Sequence, residues 1–235
     1  MYTQEKIEAL LRARINEDAF NIERVYFVKT DRRCNPKKAN PIKYSSGSIP
    51  VLVSAPHSVR HIRHKKIKAS DEFTGSLACM LNRLTDCHAL AVTKLYGGDP
   101  NYDSDCIYKE ALKEAARKNR VKLVIDLHGA SREHNFDVDI GTMMGASLLG
   151  KKQFPVLLKK HLNDYGITSI SENRFTVSDQ NTVTRYVSGI LEIPAIQLEI
   201  NRKFRVPHQN GLDYCRLAGA LTEFIKSVGI GYSGR

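Results

Sequence analysis

A short apolar run that ends in a carboxylate, an imidazole and a glycine constrains this chain more than any other stretch. Residues 124–129 have the sequence VIDLHG. Unbroken aliphatic and β-branched side chains are typical of a strand that is buried on both faces, as in a parallel sheet. Open α/β sheets bind ligands beyond the carboxyl ends of their strands, which is where His128 falls. The run predicts a central strand whose exit carries either a ligand histidine or a histidine that only caps a turn.

Asp126 lies two residues before His128, a spacing that permits a hydrogen bond from the imidazole to the carboxylate. Such a bond fixes the tautomer and the orientation of a metal-bound histidine. We therefore predict that Asp126 orients His128 and binds no metal itself.

The same pattern, a buried strand with a polar residue at its end, occurs twice more. The apolar run 49–53 is followed by His57, and the run 196–200 contains Glu199. Apolar periodicity predicts helices over 3–18, 104–119, 151–165 and 211–228, and short strands over 25–28, 88–95 and 137–142. Because strands alternate with helices, we expect an α/β fold: a single domain over 1–235, with a mixed, mostly parallel sheet flanked by helices on both faces.

Asp71 admits two interpretations. It precedes an amphipathic segment whose apolar residues are Phe73, Leu77, Met80, Leu81 and Leu84. Since Ser and Asp are preferred N-caps, Ser70 or Asp71 is a candidate cap for that helix. Alternatively, the Asp71 carboxylate takes part in a site with the strand-exit residues.

The composition is that of an ordinary globular protein, with 42% hydrophobic and 26% charged residues. No apolar run approaches the roughly 20 residues that span a bilayer. The segment 1–14 lacks the apolar core of a signal peptide, so we expect no membrane partner and a cytoplasmic location. The five cysteines form no CxxC pair, which argues against a disulfide framework.

The net charge of +11 suits an anionic partner. The basic residues are densest over 60–68, a segment that we expect to form a loop. We find neither interleaved aromatic residues nor a helix-turn-helix signal, so a nucleic-acid partner is not expected. A small anionic substrate is the partner that the charge favours.

Polar side chains at the strand exits make up a metal-ligand set. Two imidazoles (His57 and His128) and one carboxylate (Asp71) are the usual protein ligands of a hydrolytic zinc site. Such a site also needs a carboxylate that binds no metal and moves a proton from water to the leaving amine, and Glu199 is available for this. The set predicts one zinc ion per chain, although no HExxH motif supports it.

His61 and His64 follow His57 within the basic segment and offer a competing set of imidazoles. The surrounding Lys and Arg residues repel a dication. We therefore expect these two histidines to lie at the surface or to contact the substrate.

Five short motifs occur in the order seen in one known family. They are PHS at 56–58, SDEF at 70–73, DPN at 99–101, DLHG at 126–129 and QLEI at 197–200. Together they resemble the N-formylglutamate amidohydrolase family over roughly residues 49–206, and that family is related in fold to the zinc carboxypeptidases and aspartoacylases. The resemblance implies a zinc-carboxypeptidase-like fold and a zinc-dependent hydrolase that cleaves the amide bond of a small N-acylated amino acid.

The resemblance also implies roles for single residues. His57 and His128 match the metal-binding imidazoles, and Asp71 matches the carboxylate that follows the first of them. Glu199 matches the catalytic base, and Asn101 matches an asparagine that lies near the substrate.

Two positions depart from the expected motifs. Arg60 stands where carboxypeptidase-like sites carry the glutamate of an HxxE motif, so the carboxylate ligand must be Asp71 or its neighbour Glu72. Tyr102 stands where the family has the arginine of its DxNR motif, which leaves open whether N-formylglutamate itself is the substrate.

Other arginines are candidates for the substrate carboxylate, because a guanidinium binds a carboxylate through two parallel hydrogen bonds. Arg60 and Arg63 follow His57, Arg202 and Arg205 follow Glu199, and either pair is a candidate. Arg202, three residues after Glu199, is the first choice, and Arg60, three residues after His57, is the second.

Two other functions stay open at this point. One is a carboxypeptidase-like hydrolase of short or peptidoglycan peptides, which needs the same metal site. The other is a non-catalytic basic protein that binds anions or nucleic acid, and whose binding would fall with salt but not with chelation.

Overall fold

The structure is a computed structural model that describes residues 3–28, 33–175 and 181–233. Its α-helices are α1 (Thr3–Arg12), α2 (Ile15–Ile22), α3 (Thr74–Thr85), α4 (Ile107–Lys118), α5 (Gln153–Asp164), α6 (Val183–Ile190), α7 (Arg202–Arg205) and α8 (Gly211–Ser233). A π-helix (Glu23–Val28) follows α2, and a 3₁₀ segment (Met143–Leu148) precedes α5.

The strands form one large sheet and one separate hairpin. They are β1 (Ile42–Ser45), β2 (Ile49–Ala55), β3 (His61–Arg63), β4 (Lys66–Lys68), β5 (Cys87–Val92), β6 (Leu123–Ala130), β7 (Val138–Gly141), β8 (Ile170–Glu172) and β9 (Ala195–Asn201). The large sheet has the order β1-β5-β2-β6-β9-β7-β8, and β3 and β4 form a separate two-stranded sheet.

Four parallel strands at the centre of the sheet set the position of the site. Neighbouring strands among β5, β2, β6 and β9 pair in parallel, whereas β1 and β7 are antiparallel to their central neighbours. The central strands are apolar and almost wholly buried, which suits a sheet covered on both faces. Because they run in one direction, the residues at their carboxyl ends meet at one edge of the sheet.

Helices cover the sheet in two groups. α3 and α8 pack against each other and against β2, while α4 and α6 contact each other and the strands β1, β6 and β9. The predicted α/β class, with a mixed and mostly parallel sheet, is confirmed. In the described part of the chain, no helix is both long enough and apolar enough to cross a membrane.

The predicted strand over 25–28 is wrong, because this segment belongs to the π-helix Glu23–Val28. In a strand, positions 25 and 27 would share one buried face. Instead Phe27 is buried together with Glu23, one helical turn earlier, and Val25 is 44% exposed. The segment therefore extends the N-terminal helices.

Three other local expectations also need correction. The helix predicted over 3–18 is divided in two at Arg14, whose φ of 56° is left-handed. The basic segment predicted as a loop forms the β3–β4 hairpin. α3 begins at Thr74, so Asp71 lies before the helix and its side chain does not cap it.

We predict that Gly75→Ala lowers the free energy of unfolding by about 1–3 kcal/mol, because an added Cβ overfills a packed position. At Gly75 that atom would lie 2.5 Å from the Phe27 ring and 2.7 Å from Cβ of Ser58. Urea unfolding followed by circular dichroism measures the change.

Gly189→Ala is the matched control, because nothing lies within 4 Å of its added Cβ and alanine favours a helix over glycine. The control should be as stable as the parent or more stable. A Gly75→Ala protein with unchanged stability would contradict the close packing of α3 on the π-helix and on the turn after β2.

Candidate metal centre

The turn after β2 holds His57 in place. β2 ends at Ala55, and the Ser58 hydroxyl donates to the carbonyl oxygens of Ala55 at 2.9 Å and Val92 at 2.7 Å. These bonds tie the turn to the ends of β2 and β5. The His57 carbonyl in turn accepts the Asp71 amide N–H at 2.8 Å, which joins the two segments directly.

The loop that carries Asp71 is held at three successive residues. Besides the Asp71 amide, the Glu72 carbonyl accepts a hydrogen bond from the Arg205 guanidinium. The Phe73 amide donates to Oε1 of the buried Glu23 at 3.0 Å. The three partners belong to the turn after β2, to α7 and to the π-helix. The loop is therefore held from three elements, and the position of Asp71 is restricted.

The side chains of His57, Asp71 and His128 converge. Oδ2 of Asp71 lies 3.5 Å from Nδ1 of His57 and 3.1 Å from Nδ1 of His128. Within the described residues, this trio is one of two groups whose ligand atoms all lie within 4.8 Å of one another. The two nitrogens and one oxygen thus face a common point.

The other nitrogen of each imidazole contacts a buried carboxylate. Nε2 of His57 lies 2.8 Å from Oδ1 of Asp99, and Nε2 of His128 lies 3.2 Å from Oδ2 of Asp126. Both aspartates have no exposed surface. When Nε2–H donates to the carboxylate, the Nδ1 lone pair is free to bind a metal. The donor set therefore fits a dication between the two Nδ1 atoms and Asp71.

The second candidate group, which consists of His57, His61 and Asp99, fits a cation less well. The carboxylate of this group, Oδ2 of Asp99, already accepts a hydrogen bond from Nε of Arg63 at 2.5 Å. A guanidinium at this distance repels a dication placed on the same oxygen. Nε2 of His61 lies 3.5 Å from that oxygen, and its ring stacks on His57 with the centroids 3.9 Å apart.

The pKa shifts show that the trio stabilises positive charge. Burial opposes protonation of His57 and His128, yet their carboxylate partners hold the pKa of each above its usual value. Burial alone would raise the pKa of Asp71, but its hydrogen bonds to the two imidazoles bring that pKa well below its usual range. By contrast, burial and the neighbouring His57 lower the pKa of His61 to about 4.

Glu199 lies beside this cluster. Its Cα pairs with that of His128 across the parallel strands β9 and β6, so both side chains extend from the same face of the sheet. Burial raises its pKa, and Nε2 of Gln197 donates to Oε1 at 2.9 Å. A partly buried carboxylate with a raised pKa is suited to accepting and returning a proton.

Asn101 and Asp126 also lie at the cluster. Nδ2 of Asn101 is 3.0 Å from Nε2 of His128, and its Oδ1 accepts the Val183 amide N–H at 2.9 Å. Oδ1 of Asp126 accepts a hydrogen bond from Ser54 at 2.8 Å, and the Ser54 hydroxyl lies 2.7 Å from that of Tyr108. Both residues are thus fixed by neighbours outside the trio.

The two predicted substrate arginines lie further out. Arg60 is exposed, directly after the turn that bears His57. Arg202 is partly exposed, and its guanidinium lies 2.9 Å from Oε2 of Glu72. The Glu72 carboxylate is thus paired with Arg202, whereas the Asp71 carboxylate lies beside the imidazoles of His57 and His128.

Sequence reasoning missed the contact of Asp99 with His57, and it considered Arg205 only as a partner for the substrate carboxylate. Asp99 lies within the DPN motif, but only the fold shows that it accepts a hydrogen bond from His57. Arg205 is buried over Gly129, where an added Cβ would lie 2.7 Å from the guanidinium. The glycine that follows His128 was the available signal, because glycine often marks the close approach of another group.

The comparison with solved structures agrees with this architecture. The N-formylglutamate amidohydrolase from Ralstonia eutropha JMP134 superposes with a TM-score of 0.61 and 13% identity, over 84% of this chain and 100% of that one. A gene product from Agrobacterium tumefaciens gives 0.58 and 10%, over 86% and 97%. The apo, zinc-free form of YNDL gives 0.51 and 14%, over 81% and 93%.

These matches establish the fold: this chain has the architecture of the solved N-formylglutamate amidohydrolase, as the motif order implied. No protein-family model and no curated protein sequence matches the chain.

We predict that Asp99→Asn weakens the binding of added zinc by about 10–100-fold, because a neutral amide oxygen accepts a weaker hydrogen bond from His57 Nε2–H than a carboxylate does. Competition with a chromogenic chelator measures the affinity. Asp105→Asn, an exposed residue of the same loop, is the control and should leave the affinity unchanged. Equal zinc affinity in Asp99→Asn and the parent would contradict the role given to the Asp99 hydrogen bond.

Proposed function

We propose that this protein is a zinc-dependent hydrolase that cleaves the amide bond of a small N-acylated amino acid. One observation carries the proposal. The imidazoles of His57 and His128 both present Nδ1 to a single Asp71 oxygen, while each Nε2 meets a buried carboxylate. The fold shared with a solved amidohydrolase supports the same reaction class.

The donor set favours zinc among the common metals. Mg²⁺ and Ca²⁺ prefer ligand shells of oxygen, whereas zinc accepts two imidazole nitrogens and a carboxylate oxygen. When bound, zinc would supply a Lewis acid that polarises the amide carbonyl and makes water more acidic. With three protein ligands, His57, Asp71 and His128, one coordination position would stay open for chemistry.

Glu199 is the residue that we assign to proton transfer. Its carboxylate takes a proton from the attacking water and delivers it to the nitrogen of the leaving amine. The carbon–nitrogen bond then breaks, and the products are a carboxylic acid and a free amino acid. Gln197 donates to Oε1 of Glu199 and so restricts the orientation of the carboxylate.

Asn101, Arg60 and Arg202 are the residues that we assign to substrate binding. Asn101 is buried next to His128, and we assign it to the acyl part of the substrate. Arg202 pairs with the exposed Glu72, so its guanidinium can exchange that partner for the substrate carboxylate. The net charge of +11 favours the approach of such an anion.

The first prediction for this function concerns the metal. Elemental analysis of protein purified without chelator should find about one zinc per chain, because three protein ligands converge on one point. His128→Ala removes one of them and should lose the metal. Absence of zinc from the parent protein, even after reconstitution, would leave the hydrolytic mechanism without its Lewis acid and refute the proposal.

The second prediction concerns the base. Glu199→Gln should retain zinc but lower kcat by about 10²–10⁴-fold, because glutamine cannot accept a proton. Activity is measured on a panel of formyl, acetyl and peptidyl amino acids, which also distinguishes an acylamino-acid hydrolase from a peptidase. The control is Glu133→Gln, an exposed residue in the segment after β6. Unchanged kcat in Glu199→Gln would remove Glu199 from the mechanism.

A further inference from the structure

A basic hairpin without a hydrophobic core of its own lies beside the metal centre. Among the described residues, its strands β3 and β4 pair only with each other. The two residues between them, His64 and Lys65, have φ values of 51° and 61°, as the favoured two-residue hairpin turns require. A two-stranded hairpin is marginally stable by itself, so contacts at its base must hold it.

Two of those contacts are made to His57 and to its hydrogen-bond partner Asp99. The His61 ring stacks on the His57 ring with an interplanar angle of 8°. Nε of Arg63 donates to Asp99, which is the hydrogen-bond partner of His57. Between them, the Ile62 amide donates to the Gly98 carbonyl at 3.2 Å. The hairpin is thereby fixed to the metal centre rather than to the hydrophobic core.

The register shows which side chains extend from the same face of the hairpin as His61 and Arg63. His61 pairs with Lys68, and Arg63 pairs with Lys66. Directly opposed residues of an antiparallel pair point to the same face. Lys66 and Lys68 therefore extend from the face that carries His61 and Arg63, and they lie about 7 Å apart along one strand. Both lysines are exposed.

The charge of these lysines is not compensated within the part of the chain that the structure describes. No ion pair to Lys65, Lys66 or Lys68 occurs between residues of 3–28, 33–175 and 181–233. Two like charges about 7 Å apart on one face make a site that attracts an anion.

The hairpin also contacts Tyr102, which stands where the resemblance leads us to expect an arginine. The Tyr102 ring contacts the Arg63 guanidinium at 5.9 Å and the His64 ring at 4.5 Å, measured to the ring centroid. The cations near this part of the site therefore come from the hairpin and not from the segment after Asn101.

We propose that Lys66 and Lys68 form a subsite for further carboxylates of the substrate, and that the substrate is an acidic chain extending beyond the amide bond that is cleaved. The inference rests on the proposed function, since an amide must lie at the metal centre for its neighbouring carboxylates to reach the hairpin. A nucleic acid fits this surface less well, because bases bind by stacking on aromatic rings and the Tyr102 ring already contacts the Arg63 guanidinium and the His64 ring.

Binding of a fluorescein-labelled peptide of six aspartates to zinc-loaded Glu199→Gln protein tests the subsite without hydrolysis of the probe. In that background, the double substitution Lys66→Ala and Lys68→Ala should weaken binding about tenfold, as expected for the loss of two solvent-exposed charge contacts. The salt dependence of binding should also become shallower.

The matched control is Lys151→Ala with Lys152→Ala, which removes the same net charge. These residues follow β7 and the 3₁₀ segment, where the Ser147 hydroxyl donates to the carbonyl of Ala195 at the start of β9. They therefore lie toward the edge of the sheet opposite to His57. Binding by this control should change less than twofold.

Three outcomes would overturn the inference. One is an equal loss of binding in both double variants, which would indicate a general effect of net charge. The second is unchanged binding in the hairpin variant. The third is tighter binding of a 12-nucleotide single strand than of the peptide, with a loss of strand binding in the hairpin variant but not in the control. That result would make the hairpin a nucleic-acid surface.

A separate assay distinguishes failure of the subsite from failure of the proposed function. Hydrolysis of acylamino acids with neutral side chains is measured with the parent chain and with the Lys151→Ala, Lys152→Ala control, and kcat should be equal in the two. If neither protein hydrolyses any member of the panel, the proposed function fails, and the peptide titration still decides whether the hairpin binds carboxylates.

Discussion

The candidate metal centre depends on one carboxylate oxygen that faces two imidazoles. Oδ2 of Asp71 lies within 3.5 Å of Nδ1 of both His57 and His128. Each imidazole would be free to rotate if its other nitrogen had no partner. Asp99 restricts the rotation of His57, Asp126 restricts that of His128, and both aspartates are wholly buried. Burying several carboxylates is costly unless a positive charge compensates them, so this arrangement is consistent with a site for a cation.

The parallel sheet explains how residues so distant in sequence come together. β2, β6 and β9 are neighbours and run in the same direction, so His57, His128 and Glu199 meet at one edge. The register places His128 directly beside Glu199 and Asp126 directly beside Gln197. A shift of one residue in this pairing would turn the histidine and the glutamate to opposite faces. The apolar residues that fix the register therefore also fix the site.

Much of the fold and part of the site could be predicted from the sequence. The apolar runs before His57 and around His128 indicate buried strands, because local periodicity reports burial directly. Asp99 could not be identified in this way, since its partner is 42 residues distant and the contact exists only in the folded chain. The β3–β4 hairpin was predicted as a loop for a different reason: β4 has three exposed residues and shows no apolar periodicity. Its structure comes from the turn and from contacts at its base.

The loop before α3 shows how residues without regular structure can hold the Asp71 carboxylate at the candidate metal centre. Phe73 has a φ of 65°, a left-handed conformation that is costly for a residue with a side chain. Its amide donates to Glu23, and burial raises the pKa of that carboxyl group to about 7. With Asp71 bonded to His57 and Glu72 bonded to Arg205, the backbone has a hydrogen bond at each of three successive residues. The π-helix Glu23–Val28 is distant in sequence from His57, Asp71 and His128. Through the bond from Phe73 to Glu23 it nevertheless helps to fix the position of the Asp71 carboxylate.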